Sequence, residues 1–137
     1  MFVLSLLTPC LSAQVLIPMD ETHQRDHLKA YGLLYNAIEE GYDCHWLLNF
    51  RGGSFAILDA DSKLIQQALL RGVSYESRQT LRLVQPWADL ASPAQKQTPV
   101  PLKAIPKIAA ISPTGAKPWT VAVTMVLEFA AIPFPTI

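Results

Sequence analysis

Short apolar runs of strand length alternate with stretches of helical periodicity along residues 14–91, and this alternation constrains the fold more than any bulk figure does. Residues 15–19 (VLIPM) form an apolar run stopped by Asp20 and Glu21, the pattern of a buried strand feeding a loop. From Gln24 to Glu40, Leu28, Tyr31, Leu34, Tyr35 and Ile38 recur at three- and four-residue spacing. That spacing predicts a helix with one apolar face, capped by Asp20 or Thr22 and ended by Gly41. CHWLLNF (44–50) reads as a second strand, apolar enough for burial on both faces, and SFAIL (54–58) as a third. Asp59 or Asp61 then opens a helix through Leu64, Ile65, Ala68 and Leu69 to Gly72. VSYES (73–77) is a fourth strand candidate, and residues 78–90 suit a helix that Pro86 must break or end.

Proline divides the chain. Of its eleven prolines, Pro86, Pro93, Pro99, Pro101 and Pro106 crowd together, and between Ser92 and Pro106 no periodicity survives. This stretch reads as a linker or an extended edge segment. KIAAIS (107–112) then reads as a buried strand, followed by the turn PTGAKPW, a helix from Pro118 to Ala131, and IPFPTI as the start of another strand. Alternating strands and helices argue for an α/β fold with a small, largely parallel sheet and flanking helices. The organisation expected is an α/β domain at 14–91, a Pro-rich linker at 92–106, and the start of a second α/β unit at 107–137. That second βα unit is incomplete, so the native protein is expected to be longer.

Residues 1–13 (MFVLSLLTPCLSA) are apolar and end in small residues before Gln14, as a secretory signal peptide does, although no positive n-region precedes them. The segment is too short to span a bilayer. Export to the periplasm or cell envelope is expected, without a lipid anchor, because Pro9 before Cys10 is unfavourable for lipoprotein processing. Once Cys10 leaves with the signal, Cys44 is the remaining thiol and no internal disulfide can form. Adjacent strand residues face opposite ways, so Cys44 and His45 make no dyad, and Cys44 reads as a small hydrophobe. Eleven basic residues balance eleven acidic ones, which removes the electrostatic case for nucleic acid or an anionic membrane surface. The partner expected is a small ligand or a protein.

WLLNFRGGSF (46–55) is the most motif-like segment. Glycines after a strand let backbone N–H groups approach an anion. A phosphate cradle, however, needs a helix immediately behind the glycines, and SFAIL continues as a strand. Arg51, Gly52, Gly53 and Ser54 therefore read first as a hairpin-like turn or a loop at the sheet's carboxyl edge. Ligand contact is the second reading, because α/β folds bind ligands at that edge. In a parallel sheet Asp20 and Arg51 end strands on the same edge, where they would form a salt bridge or line a shared cleft. Ser112 and Thr114, with the helix N-terminus behind them, form a second loop able to hold a small anion; Trp119 suits the core better than a ligand platform. His23 and His27 stand four residues apart beside Asp20, Glu21 and Asp26, but zinc needs a third protein ligand and His45 is the only other histidine. No metal, cofactor or catalytic set is expected.

In chain order, LIPMDE, HLKAYGLLYNAIEEG, WLLNFRGGSF, RGVSYE and PKIAAISPTGAKPWTVAVTMVLEFAAIPF resemble the N-terminal third of a family of bacterial exported proteins commonly labelled asparagine synthetase B. The resemblance runs from Leu16 to Phe134 and weakens between Arg78 and Lys103. It implies an α/β domain, like a class I glutamine amidotransferase or flavodoxin-like sheet, that continues past the last helix. It carries over no catalytic residue. A glutamine-hydrolysing synthetase uses a cysteine directly after the initiator methionine, where this chain has Phe2, and its Ser-Gly-Gly-x-Asp-Ser pyrophosphate loop does not occur here. The function expected is an exported binding or structural module. The alternative is the N-terminal part of an amidotransferase-like or hydrolase-like enzyme whose catalytic residues lie beyond residue 137.

Overall fold

The computed structural model describes residues 13–79, 99–111 and 119–137. In chain order the elements are β1 (Ala13–Ile17), α1 (His27–Glu39), β2 (Asp43–Leu47), β3 (Ser54–Ala60), α2 (Ser62–Arg71), β4 (Glu76–Gln79), β5 (Val100–Leu102) and α3 (Trp119–Phe129). The strands form one five-stranded sheet in the order β4-β1-β3-β2-β5, and every neighbouring pair is antiparallel. This overturns the expected largely parallel, flavodoxin-like sheet.

The cause is the connection at 48–53. It is too short for a crossover, so β2 and β3 pair as a hairpin and β3 lies between β1 and β2. The helical connections still join strands of like direction, β1 to β2 and β3 to β4, but an antiparallel strand stands between the members of each pair. This is the split βαβ, or ferredoxin-like, connectivity.

Side-chain alternation divides the sheet into two faces. Val15 and Ile17 of β1, Cys44 of β2, and Phe55 and Ile57 of β3 pack against Ala30, Leu33, Leu34 and Ala37 of α1 and Leu64 and Ala68 of α2. Leu16, Leu47 and Ala56 form a smaller cluster on the opposite face with Phe50. One register shift between β1 and β3 gives β3 an extra residue, and Asp59 takes a φ of +51° there, as a β-bulge requires.

Asp26, rather than Asp20 or Thr22, caps α1 by accepting from the Lys29 amide at 3.1 Å. Asp61 caps α2, accepting from the Leu64 amide at 3.0 Å and from the Tyr42 hydroxyl at 2.7 Å, and Gly72 ends it.

The second half departs further from expectation. Arg78 and Gln79 belong to β4 and not to a helix. Part of the Pro-rich stretch forms β5, which places Pro101 opposite His45 on the sheet's edge, where a missing N–H breaks no ladder. KIAAIS does not form a buried strand: Lys107, Ala109 and Ile111 are exposed, and Ala110 alone pairs, in a parallel bridge with Thr136. The C-terminal end of α3 meets α1, with Ala130 buried against Gly32 and the Lys29 ammonium 4.6 Å from the Phe129 ring centre. A Cβ on Gly32 would stand 1.5 Å from the Ala130 carbonyl oxygen, so this approach requires glycine. Val121, Val123, Met125 and Val126 of α3 remain exposed. Among the described residues no helix is long and apolar enough to cross a membrane.

Residues 1–12 of the expected signal segment 1–13, the remainder of the expected helix at 80–90, and Ser112 and Thr114 lie outside the described residues, whereas Ala13, the last residue of that segment, is buried as the first residue of β1. Ile57 is fully buried on the middle strand. Ile57→Ala should lower the unfolding free energy by about 2–5 kcal/mol in a denaturant titration. Leu70→Ala, at a side chain 80% exposed, should change it by no more than about 0.5 kcal/mol.

Candidate functional site

The β1–α1 loop, the β2–β3 turn and the start of β4 meet at one end of the sheet, because Ile17 pairs with Phe55 and Leu16 with Glu76. Arg51 joins all three. Its carbonyl accepts from the Met19 amide at 3.2 Å and from Ser54 Oγ at 3.0 Å. Its Nε donates to Asp20 Oδ2 at 3.1 Å, and its Nη1 donates to the Glu76 carboxylate. Nη2 is buried and has no hydrogen-bond partner among the described residues.

Behind Arg51 the chain is pressed against the β1–α1 loop. Gly52 has a φ of +78°, and a Cβ there would stand 2.5 Å from the Met19 carbonyl oxygen. The amides of Gly53 and Ser54 both donate to the Phe50 carbonyl, at 3.1 and 2.9 Å. These N–H groups face into the turn and are not free to cradle an anion. Of the two readings of Arg51-Gly52-Gly53-Ser54, the geometry is that of the hairpin turn.

Asp20 and Arg51 do form a salt bridge, through an antiparallel hairpin instead of a shared carboxyl edge. The other Asp20 oxygen accepts from the His23 amide at 3.0 Å and pairs with His23 Nδ1. The His23 hydrogen bond, helped by Arg51, holds the Asp20 carboxyl below its ordinary value of 3.8 against the opposing effect of desolvation. Glu76 first, then Asp20, raises the Arg51 guanidinium above its ordinary value. One cation set between two carboxylates has no surplus charge to offer an anion, so the cluster acts as a clamp on the β1–α1 loop, the β2–β3 turn and the start of β4.

Neighbouring side chains tighten the same loops. His27 Nε2 donates to the Met19 carbonyl at 3.1 Å, so His23 and His27 serve different partners. Among the described residues no three His, Cys, Asp or Glu side chains are placed to hold a metal. Gln24, buried, donates to the carbonyls of Pro18 and Ser74, both at 3.3 Å, and accepts from the Ser74 amide at 3.2 Å. Sequence reasoning missed both Gln24 and Glu76, since nothing in a polar loop marks one glutamine as buried. Cys44 is buried, and burial together with the Asp43 charge pushes its thiol up to about 12, which removes it as a nucleophile.

The second feature is apolar. A cavity of about 350 Å³ opens between α1 and the chain that follows β5. Tyr31, Leu34, Tyr35 and Ile38 of α1 form one wall, Trp46 and Phe55 the floor, and Leu102, Ala104, Ile105, Pro106, Ile108 and Ile132 the other wall. The stripe read from the sequence as the core-facing side of α1 is thus partly a cavity wall, and Tyr31 is 48% exposed.

The aromatic residues on the floor are mutually fixed. Tyr31 meets Phe55 edge-on at 5.8 Å between ring centres, and Trp46 stacks on Phe55 at 6.1 Å with 29° between planes. Trp46 Nε1 donates to the Gly53 carbonyl at 3.0 Å. The Arg51-Gly52-Gly53 turn therefore holds the indole that floors the cavity. No charged residue occurs among the described lining residues.

Two tests address the turn. Gly41 has a φ of +88° with nothing near its missing Cβ, so Gly41→Ala should cost about 1 kcal/mol through backbone strain. Gly52→Ala adds displacement of the Met19 backbone and should cost about 1–3 kcal/mol more in the same denaturant titration. Because the Asp20 pKa is lowered on folding, its pairing stabilises the chain above its ordinary value of 3.8 and is lost as pH falls through the lowered value. Asp20→Asn should flatten the fall in thermal midpoint between about pH 5 and pH 2, measured by circular dichroism.

Comparison with protein-family models, with characterised proteins and with solved structures gave no match, so the functional reading stands on the clamp and the cavity.

Proposed function

We propose that this chain is a binding module that holds an apolar small molecule in the cavity between α1 and residues 102–108. The observation that carries the reading is the cavity's wholly uncharged described lining, at about 350 Å³. Small-molecule sites have volumes of about 300–1,000 Å³ and are mostly apolar. Transfer of apolar surface from water supplies the affinity, at about 25 cal/mol per Å² buried. The Asp20–Arg51–Glu76 clamp serves binding at one remove, by fixing the turn whose carbonyl orients Trp46.

Export to the periplasm or cell envelope belongs to the same proposal and rests on the apolar segment 1–13. The resemblance to the exported family labelled asparagine synthetase B supports it, without synthetase chemistry. N-terminal sequencing of the exported product should begin at or near Gln14, and an intact Met1 would remove that part of the reading.

N-phenyl-1-naphthylamine, an uncharged dye that brightens in apolar sites, tests the cavity. The wild-type chain should bind it saturably at one site. Ala104 is exposed at the rim, and Ala104→Trp should fill the space and weaken binding by about tenfold or more, with an unchanged thermal midpoint. Equal binding by both chains, or no saturable binding, contradicts the proposal.

A further inference from the structure

We infer that the ligand of this cavity is an uncharged, flat, ring-containing molecule with one hydrogen-bonding group, and not a fatty acid or other charged amphiphile; this rests on the cavity being the binding site. The first reason is charge. A carboxylate placed among the described lining residues would lose its water without gaining a cation, which is strongly unfavourable. Lys29, two positions before Tyr31 on α1, is already engaged, with its ammonium over the Phe129 ring and 3.4 Å from Asp26.

The second reason is shape. Trp46 is pinned at both ends, by its stack on Phe55 and by the bond from Nε1 to the Gly53 carbonyl, yet 38% of it remains exposed. A rigid indole offers a flat surface with little conformational entropy left to lose. Branched aliphatic side chains, Ile105, Ile108 and Ile132 among them, line the same cavity. A planar ring fills such a slot and gains the additional attraction of aromatic pairs. A flexible chain would have to be ordered on binding. The third reason is the polar complement. Tyr31 and Tyr35 supply the only hydroxyls among the described lining residues, the side-chain groups that a ligand's hydrogen-bonding group would meet.

Isothermal titration of the full chain with 1-naphthol, 1-decanol and 1-naphthoate separates the possibilities. 1-Naphthol should bind at least tenfold more tightly than the other two. Trp46→Leu should reduce naphthol affinity about tenfold and leave decanol affinity unchanged. Tyr35→Phe, which keeps the ring and so the packing, should weaken 1-naphthol several-fold and leave naphthalene unaffected, and it serves if Trp46→Leu does not fold. Decanol binding as tightly as naphthol overturns the ring-containing class while leaving the apolar site standing. Tighter binding of naphthoate overturns the requirement for an uncharged ligand. If none of the probes binds, the cavity is not a ligand site and both readings fall.

Discussion

The hydrogen bonds from the Arg51 guanidinium to Asp20 and Glu76 tie the β2–β3 turn to the β1–α1 loop and to the start of β4 at one end of the sheet, and the rest of the architecture follows from the turn they secure. With residues 48–53 closed as a hairpin, β3 must run antiparallel to β2 and occupy the place beside β1. Each helical crossover then skips a strand, and α1 and α2 share one face of the sheet over Val15, Ile17, Phe55 and Ile57. Gly52 makes the closure possible, because a side chain there would meet the Met19 carbonyl. The clamp carries its own compensation: a partly buried guanidinium held by two carboxylates avoids the penalty of an unpaired charge.

The same turn reaches the candidate site. Gly53, one position past the tight contact, uses its carbonyl to hold Trp46, and Trp46 stacks on Phe55 beside Tyr31. A polar clamp and an apolar cavity, far apart in character, are linked through three consecutive residues. The cavity's other wall comes from β5 and the irregular chain after it, where proline permits an edge strand but not a continuing ladder.

Local signals were legible in the sequence, and global direction was not. The periodicity of α1 and the stops at Gly41 and Gly72 depend on neighbouring residues and lie where the pattern points, and Asp61 is the cap used of the two the pattern offers, while α1 starts at His27 behind Asp26 and not at Gln24. Strand direction depends on how a connection closes, and the helix-sized connections suggested parallel neighbours that β3 and β1 instead separate. The Asp20–Arg51 pair was anticipated from a parallel sheet, yet an antiparallel hairpin brings the two together. Glu76 and Gln24 carry no periodic signal. The cavity was hidden for a different reason: an apolar stripe containing Tyr31, Tyr35 and Ile38 has the same spacing whether it meets a sheet or a space. KIAAIS has strand composition but no ladder, which composition alone does not reveal.

The link from clamp to cavity is tested most directly by a double-mutant cycle in which Arg51→Met and Trp46→Leu are combined and the affinity for N-phenyl-1-naphthylamine is measured. If the turn acts on the cavity through the indole, Arg51→Met weakens the dye several-fold when Trp46 is present and has no further effect once Trp46→Leu has been made. Equal weakening by Arg51→Met in both backgrounds would contradict that coupling.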